Sequence, residues 1–285
     1  MRNLLFALVL LVSFARSGVA AEPCARIISL APSITEVIFE LGLGNKLVGV
    51  TRYCRYPPEA QKVPNIGGLY DVSLEGLLAL KPTFVFALRE NGAIRESAAR
   101  FGVGTLEVDH STVDGIKKSL ISIAETCGIK EVGVEKVKAL ELREAAVRDV
   151  MKGAPRSKTL VVAGRTHEGS SISGVYVSGR DGFYSGVLEI VGLSNVNQDP
   201  TIALPVVSPE GLMALAPEVI IEVMNADDPL IKGDPRELWR QYKTLPAVRS
   251  NRIFMLREDY ASIPGPRYIL VAEELARKLR SGEPS

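Results

Sequence analysis

Little in this 285-residue chain is present in excess, and the scarcities narrow its chemistry. Two His are too few for a metal or catalytic site built mainly from imidazoles. Three Cys exclude a disulfide-dense scaffold. Lys and Arg number 34 against 33 Asp and Glu, so the basic excess that marks a nucleic-acid binder is missing. Gly-x-Ser-x-Gly, P-loop, Gly-x-Gly-x-x-Gly, His-x-x-x-His and Cys-x-x-Cys patterns are all absent. Ser33, His110, His167 and nearby Asp residues are the materials of a triad, but no nucleophile elbow places the serine. With 46% hydrophobic and 24% charged residues, the chain has the composition of a globular protein.

One segment departs from these averages. Residues 1–20 contain no acid, and Arg2-Asn3 precede an unbroken apolar run from Leu4 to Val12. Gly18-Val19-Ala20 then supplies small residues at a cleavage position, the order of a secretory signal peptide. A retained anchor is the other reading, but the run is short of the ~20 residues that span a bilayer. Cys24 does not directly follow the cut, which argues against a lipid anchor. Removal of 1–20 takes away Arg2 and Arg16, so the formal charge of +1 becomes −1. The mature chain is expected to begin near Ala21, in an oxidising, exported space.

The remainder alternates short β-branched runs with helical patterns. Strands are predicted at 26–30, 47–51, 84–88, 105–108, 159–163, 175–178, 219–223 and 252–256, a βαβ rhythm implying parallel sheet. The segment Val72–Pro82 returns as Val207–Pro217, identical at eight of eleven positions with an offset of 135. A weaker echo pairs Val37–Leu43 with Val187–Leu193, each ending Gly-Leu. Two lobes of one topology explain both; chance likeness of amphipathic helices is the alternative. Between them, 129–152 reads as a helix of ~24 residues and ~36 Å, with Val137, Leu140, Val147 and Met151 at helical spacing and Glu144 interrupting the stripe. The expected division is a leader at 1–20, lobes at 21–128 and 154–285, and a connecting helix at 129–153. A helical strut predicts small lobe motions rather than a wide hinge.

Ligands in parallel α/β sheets bind beyond the carboxyl ends of the strands. The loops expected there carry Pro32-Ser33, Arg52-Tyr53, Tyr70, Arg89-Glu90, Asp109-His110, Arg165-Thr166-His167, Tyr176, Asn225–Asp228 and Asp259-Tyr260. Ser33 and Glu36 are predicted to form a capping box on the first helix. Cys24 and Cys127 both fall on the side of the sheet away from these loops. They are either a disulfide pair, suited to an exported protein, or two thiols. Cys54 is left over as a small hydrophobe.

Four motifs, Arg26–Glu36, Tyr53–Ala60, Ser73–Pro82 and Gly265-Pro266-Arg267, occur in the order seen in one family. Over about residues 24–281 the chain resembles the helical-backbone (class III) periplasmic binding proteins of ABC importers for cobalamin, haem and ferric siderophores. The resemblance implies two Rossmann-like α/β lobes joined by one long α-helix, a ligand cleft between them, and no catalysis or resident cofactor. It implies docking of Glu75 and Glu210 on arginines of a permease coupled to an ATPase, with no nucleic-acid partner and a monomeric state. The Tyr-x-x-Tyr-Pro-Pro-Glu-Ala loop is most similar to the cobalamin branch. There Tyr53 matches an aromatic that contacts the corrin, Tyr176 stands where that branch has Phe, and Asp259-Tyr260 where it has an acid followed by an aromatic. Pro32, Ser33, Tyr70, Arg89, Arg165 and His167 complete the expected ligand set. Leu88 and Leu204 stand where a cobalamin binder has Trp. Haem binders often carry a ligating Tyr just before the repeated helix, near Tyr70.

Overall fold

The computed structural model describes residues 22–282, apart from 169–170, 180–181, 198–201, 203 and 225–233. The expected leader and the Asn225–Asp228 loop lie outside the described residues. The first half runs β1 (Ile27–Ser29), α1 (Pro32–Glu40), β2 (Leu47–Val50), α2 (Leu74–Ala79), β3 (Phe84–Leu88), α3 (Gly92–Arg100), β4 (Gly104–Val108) and α4 (Val113–Thr126). After α5 (Lys130–Val150) come β5 (Lys158–Glu168), β6 (Ser171–Val177), α6 (Phe183–Ile190), β7 (Ser194–Asn195) and β8 (Val206–Val207). The chain ends with α7 (Pro209–Leu215), β9 (Val219–Val223), α8 (Glu237–Arg240), α9 (Pro246–Arg249), β10 (Ile253–Leu256) and α10 (Tyr268–Ser281).

The first lobe is a parallel sheet in the order β2-β1-β3-β4. The second has the order β10-β9-β5-β6-β8, with β7 beside β5. The repeat is structural. Ser73 and Ser208 cap α2 and α7, their hydroxyls accepting from the N–H groups of Gly76 and Gly211. Lys81 and Ala216 both turn left-handed, at φ 49° and 43°, and strands β3 and β9 follow at the same offset. The echoed helices α1 and α6 both run into left-handed glycines, Gly42 and Gly192. Because β1 pairs with β3 as β5 pairs with β9, Glu75 and Glu210 hold equivalent, exposed places in the two lobes.

The lobes differ where the sequence pattern is least informative. The expectation of a purely parallel second sheet is corrected: β6 is antiparallel to β5, in a hairpin. Strand β5 runs on to Glu168, so Gly164–Glu168 is strand rather than the expected loop. Its pairing with β6 carries it past Val162, where β9 pairing stops, with register shifts at Val162/Gly164 and Thr166/His167.

One hydrophobic core crosses from lobe to lobe through α5, joining Ile27 and Ile116 to Leu140, Val147, Val219 and Tyr268. The buried face of α5 carries Gly133, Leu140, Glu144 and Val147. Glu144 interrupts the apolar stripe because three helices meet there. Tyr268 of α10 donates to Glu144 Oε1 at 2.6 Å, and Lys117 of α4 lies 3.3 Å from the same oxygen. Gly133 lets α5 approach α4: a Cβ there would sit 2.7 Å from Ala124 Cβ and 2.8 Å from the Leu120 carbonyl oxygen. A larger side chain must push the two helices apart. Gly133→Val is therefore expected to destabilise by about 1–3 kcal/mol, read as a lower urea midpoint at unchanged slope.

Candidate functional site

The carboxyl ends of the first-lobe strands converge on a pocket of ≈ 570 Å³. Strand β3 delivers Leu88, Arg89 and Glu90, β4 delivers Asp109, His110 and Ser111, and the β1–α1 turn delivers Ser33. Pro264, from the segment before α10, closes the pocket from the other half of the chain. Its volume lies in the range of roughly 300–1,000 Å³ typical of small-molecule sites. Among the described residues Arg89 and Glu90 make no side-chain hydrogen bond or ion pair, so their charges are available to a ligand. The hydroxyl and backbone N–H of Ser111 hold Asp109 below the usual carboxylate range. No group of three or more His, Cys, Asp or Glu among the described residues could hold a metal ion.

Ser33 does not cap α1. Pro32 occupies the first turn and moves the cap position back to Ala31, which makes no side-chain cap bond. Ser33 Oγ instead lies 2.8 Å from His110 Nδ1, and His110 Nε2 lies 2.7 Å from Ser119 Oγ. His110 is only 4% exposed, and burial pushes its pKa down to about 4. The ring is therefore neutral at pH 7. An unfolded His110 takes up a proton near pH 6.5 while the native one does not, so its contribution to stability falls as pH drops from 6.5 toward 4. The difference amounts to roughly 3 kcal/mol. Urea unfolding at pH 7 and pH 4.5 should show a smaller acid-induced loss in His110→Gln than in the unsubstituted protein.

Glu36, expected in the capping box, serves another purpose. Its oxygens accept from Arg267 Nη2 at 2.6 Å and Nε at 3.0 Å, an ion pair between α1 and the residue before α10. Arg267 also reaches Asp259 at 2.8 Å, and its guanidinium lies 3.8 Å from the centre of the Tyr56 ring. Burial pushes the Glu36 carboxyl above its usual range even with the guanidinium beside it. The Gly-Pro-Arg motif thus joins the lobes: a Cβ at Gly265 would stand 2.9 Å from Glu36 Oε2.

The other expected residues are distributed around this junction. Tyr53 follows β2 and is 51% exposed, with the Arg52 guanidinium 5.9 Å from its ring centre. Arg52 pairs with Asp71, whose Oδ1 accepts from Gly68, and this ties the loop carrying Tyr70 to that of Tyr53. Tyr70 is 85% exposed. On the second lobe Tyr176 lies opposite Gly164 and Val206, just past the end of β9, and is 38% exposed. Leu204 is also exposed. Tyr260 donates to Glu274 at 2.9 Å, and Asp259 is taken up by Arg267.

Arg165 is committed behind the surface. Its Nε lies 3.0 Å from Glu222, which also accepts from Trp239 at 2.7 Å, and all three side chains are buried. The register shift between Val162 and Gly164 turns Arg165 to the same face as Val162, which pairs with Glu222 of β9. His167 lies in β5 opposite Ile172, and its side chain is outside the described residues. Pro32 is half-buried at the start of α1. Cys24 and Cys127 are joined by a disulfide, Cα–Cα 5.2 Å, away from the pocket. Cys54 is buried against the Thr35 and Thr51 hydroxyls, and burial pushes its thiol pKa up. Sequence reasoning placed Glu90, Asp109 and His110 on the right loops without a role. It gave Tyr56 and Arg267 only as motif letters; nothing local signals a partner 231 residues away.

Two α/β lobes on a shared core, with a pocket at the strand ends of the first, have the architecture of a two-lobe binding protein. A family model described as periplasmic binding protein matches residues 27–260, and the chain belongs to that family. Its members bind solutes rather than transform them. A vitamin B12-binding protein of Photorhabdus laumondii is 30% identical over 274 residues, which cover 95% of this chain and 93% of that protein. The periplasmic heme-binding protein RhuT of Roseiflexus, solved in apo form, is 28% identical, with a TM-score of 0.74 over 90% of this chain and 98% of that one. The vitamin B12-binding protein BtuF of Vibrio cholerae shares the fold at a TM-score of 0.76 and 24% identity, over 91% of this chain and 98% of its own.

Proposed function

We propose that this protein is an exported carrier that captures a corrinoid of the cobalamin kind between its lobes and delivers it to an ABC import permease and its ATPase. The observation that carries the reading is the pocket at the first-lobe strand ends. Tyr53 and Tyr176, outside its lining, are exposed aromatics on the first and second lobe. Flat aromatic side chains bury much ring area at little entropic cost. Relatives named vitamin B12-binding proteins support it across nearly the whole chain. The likeness to RhuT favours haem as a second reading. In this account residues 1–20 are cleaved near Ala20, the lobes are 21–128 and 154–285 about the helix 129–153, and the carrier is a periplasmic monomer. Pro32, Ser33, Tyr53, Tyr70, Arg89, Tyr176, Asp259 and Tyr260 form or border the ligand surface.

Glu75 and Glu210 are the docking residues. Both are exposed in the first turns of equivalent helices, a placement that suits a two-fold permease with matched basic contacts. Calorimetric titration with cobalamin, cobinamide, haemin and a ferric siderophore tests the ligand. Micromolar or tighter corrinoid binding is expected, and tight haemin binding with none for either corrinoid would overturn the assignment. The Glu75→Ala/Glu210→Ala protein should titrate unchanged and yet fail to stimulate the transporter ATPase.

A further inference from the structure

The proton positions in the Ser33–His110–Ser119 chain follow from its far end. Ser119 Oγ lies 2.8 Å from the Ile116 carbonyl, to which it can only donate. With the Ser119 proton on that carbonyl, its lone pairs accept from His110, 2.7 Å away, and the ring proton sits on Nε2. Nδ1 is left as an acceptor, and the group 2.8 Å from it is Ser33 Oγ, which donates its single proton inward. Ser33 has no proton left for the pocket that it lines and presents only lone pairs there. The charged lining acts in the same sense. The lining itself holds Glu90, Glu107 and Asp109 against one cation, Arg89; from outside it Arg95 lies 3.2 Å from Glu107 and Lys118 acts on Asp109. The lining is rich in acceptors.

We infer that the Ser33–His110–Ser119 relay makes this end of the pocket a hydrogen-bond acceptor surface, selecting a ligand edge of carboxamide N–H donors over one of carboxylates. The inference rests on the cleft being the ligand site, as proposed above. An amide NH₂ donates to Ser33 Oγ and to the neighbouring carboxylates. A carboxylate at Ser33 sets lone pair against lone pair beside Asp109 and leaves those acceptors unsatisfied, with Arg89 the one lining cation that can answer it. His110 and Ser119 are positioning residues, because they reach the ligand only by holding the proton of Ser33. Among macrocycles, this selects a corrin edge bearing carboxamides over a porphyrin edge bearing propionates.

The test uses two matched pairs at pH 7: cobinamide against cobyrinic acid, and the bis-amide of haemin against haemin. Each amide is expected to bind about tenfold or more tighter than its acid. Ser119→Ala, remote from the pocket, releases the tautomer and should narrow that ratio to within about threefold while the protein remains folded. Nitrogen NMR of His110 in the unsubstituted protein should show Nε2 protonated and Nδ1 bare, a readout that survives if the variant does not fold. Equal or tighter binding of the acids, an unchanged ratio in Ser119→Ala, or a proton on Nδ1 would overturn the inference. Corrinoid binding without amide preference removes this inference and leaves the proposed function. Amide preference confined to the porphyrin pair removes the corrinoid assignment and leaves the inference, and binding of none of the four removes both.

Discussion

Arg267→Ala is expected to destabilise the protein by about 3–5 kcal/mol. The guanidinium satisfies both oxygens of Glu36, whose side chain is only 2% exposed, and it also holds Asp259 and stacks on Tyr56. Its loss strands a buried carboxylate, and that carboxylate escapes the penalty only by taking up a proton. In the variant the Glu36 pKa rises further above its unfolded value, so the added stability appears as pH falls. The deficit relative to the unsubstituted protein should therefore be larger at pH 8 than at pH 5. Urea denaturation at both values measures it. Glu36→Leu combined with Arg267→Met should recover much of the loss, since apolar groups of similar volume commonly replace a buried pair at little cost. A deficit that is independent of pH would show that Glu36 is not the stranded group. The pair ties α1 to the entry of α10.

The second large effect concerns Cys24 and Cys127, whose disulfide closes a loop with a sequence separation of 103. A loop of this length implies about 4–5 kcal/mol of stability in the chain-entropy account, and observed losses for native bridges run about 2–5 kcal/mol. Cys24→Ser/Cys127→Ser should lower the urea midpoint accordingly, and reductant should do the same to the unsubstituted protein while leaving the variant unchanged. Counting thiols in denaturant should give one per chain before reduction and three after it. Three before reduction would refute the bridge. Cys54 is the one that reacts in either case only after unfolding, being buried with its thiol pKa raised.

What could be read in the amino-acid order was local. The repeat at offset 135 announced paired helices with serine caps, and α2 and α7 carry them because a cap needs only its own first turn. The interrupted stripe on 129–152 announced a long helix, which spans Lys130–Val150. The apolar runs announced β1, β3, β9 and β10 to within a residue or two. The direction of β6 was not legible, because a β run has the same period whichever way it pairs. Nor was the face of Arg165, which depended on the register shift between Val162 and Gly164.

The site itself was decided by tertiary structure. Ser33 and Glu36 look like a capping box from the sequence, but Pro32 shifts the cap and frees both side chains for distant partners. Ser33 meets His110 across 77 residues, and Glu36 meets Arg267 across 231. Composition and order alone determined the two related lobes, the helical strut and the family likeness, since each is written in short-range pattern. Which proton faces the pocket, and which charge holds the lobes together, follow from distances between side chains that only the folded chain brings within hydrogen-bond reach.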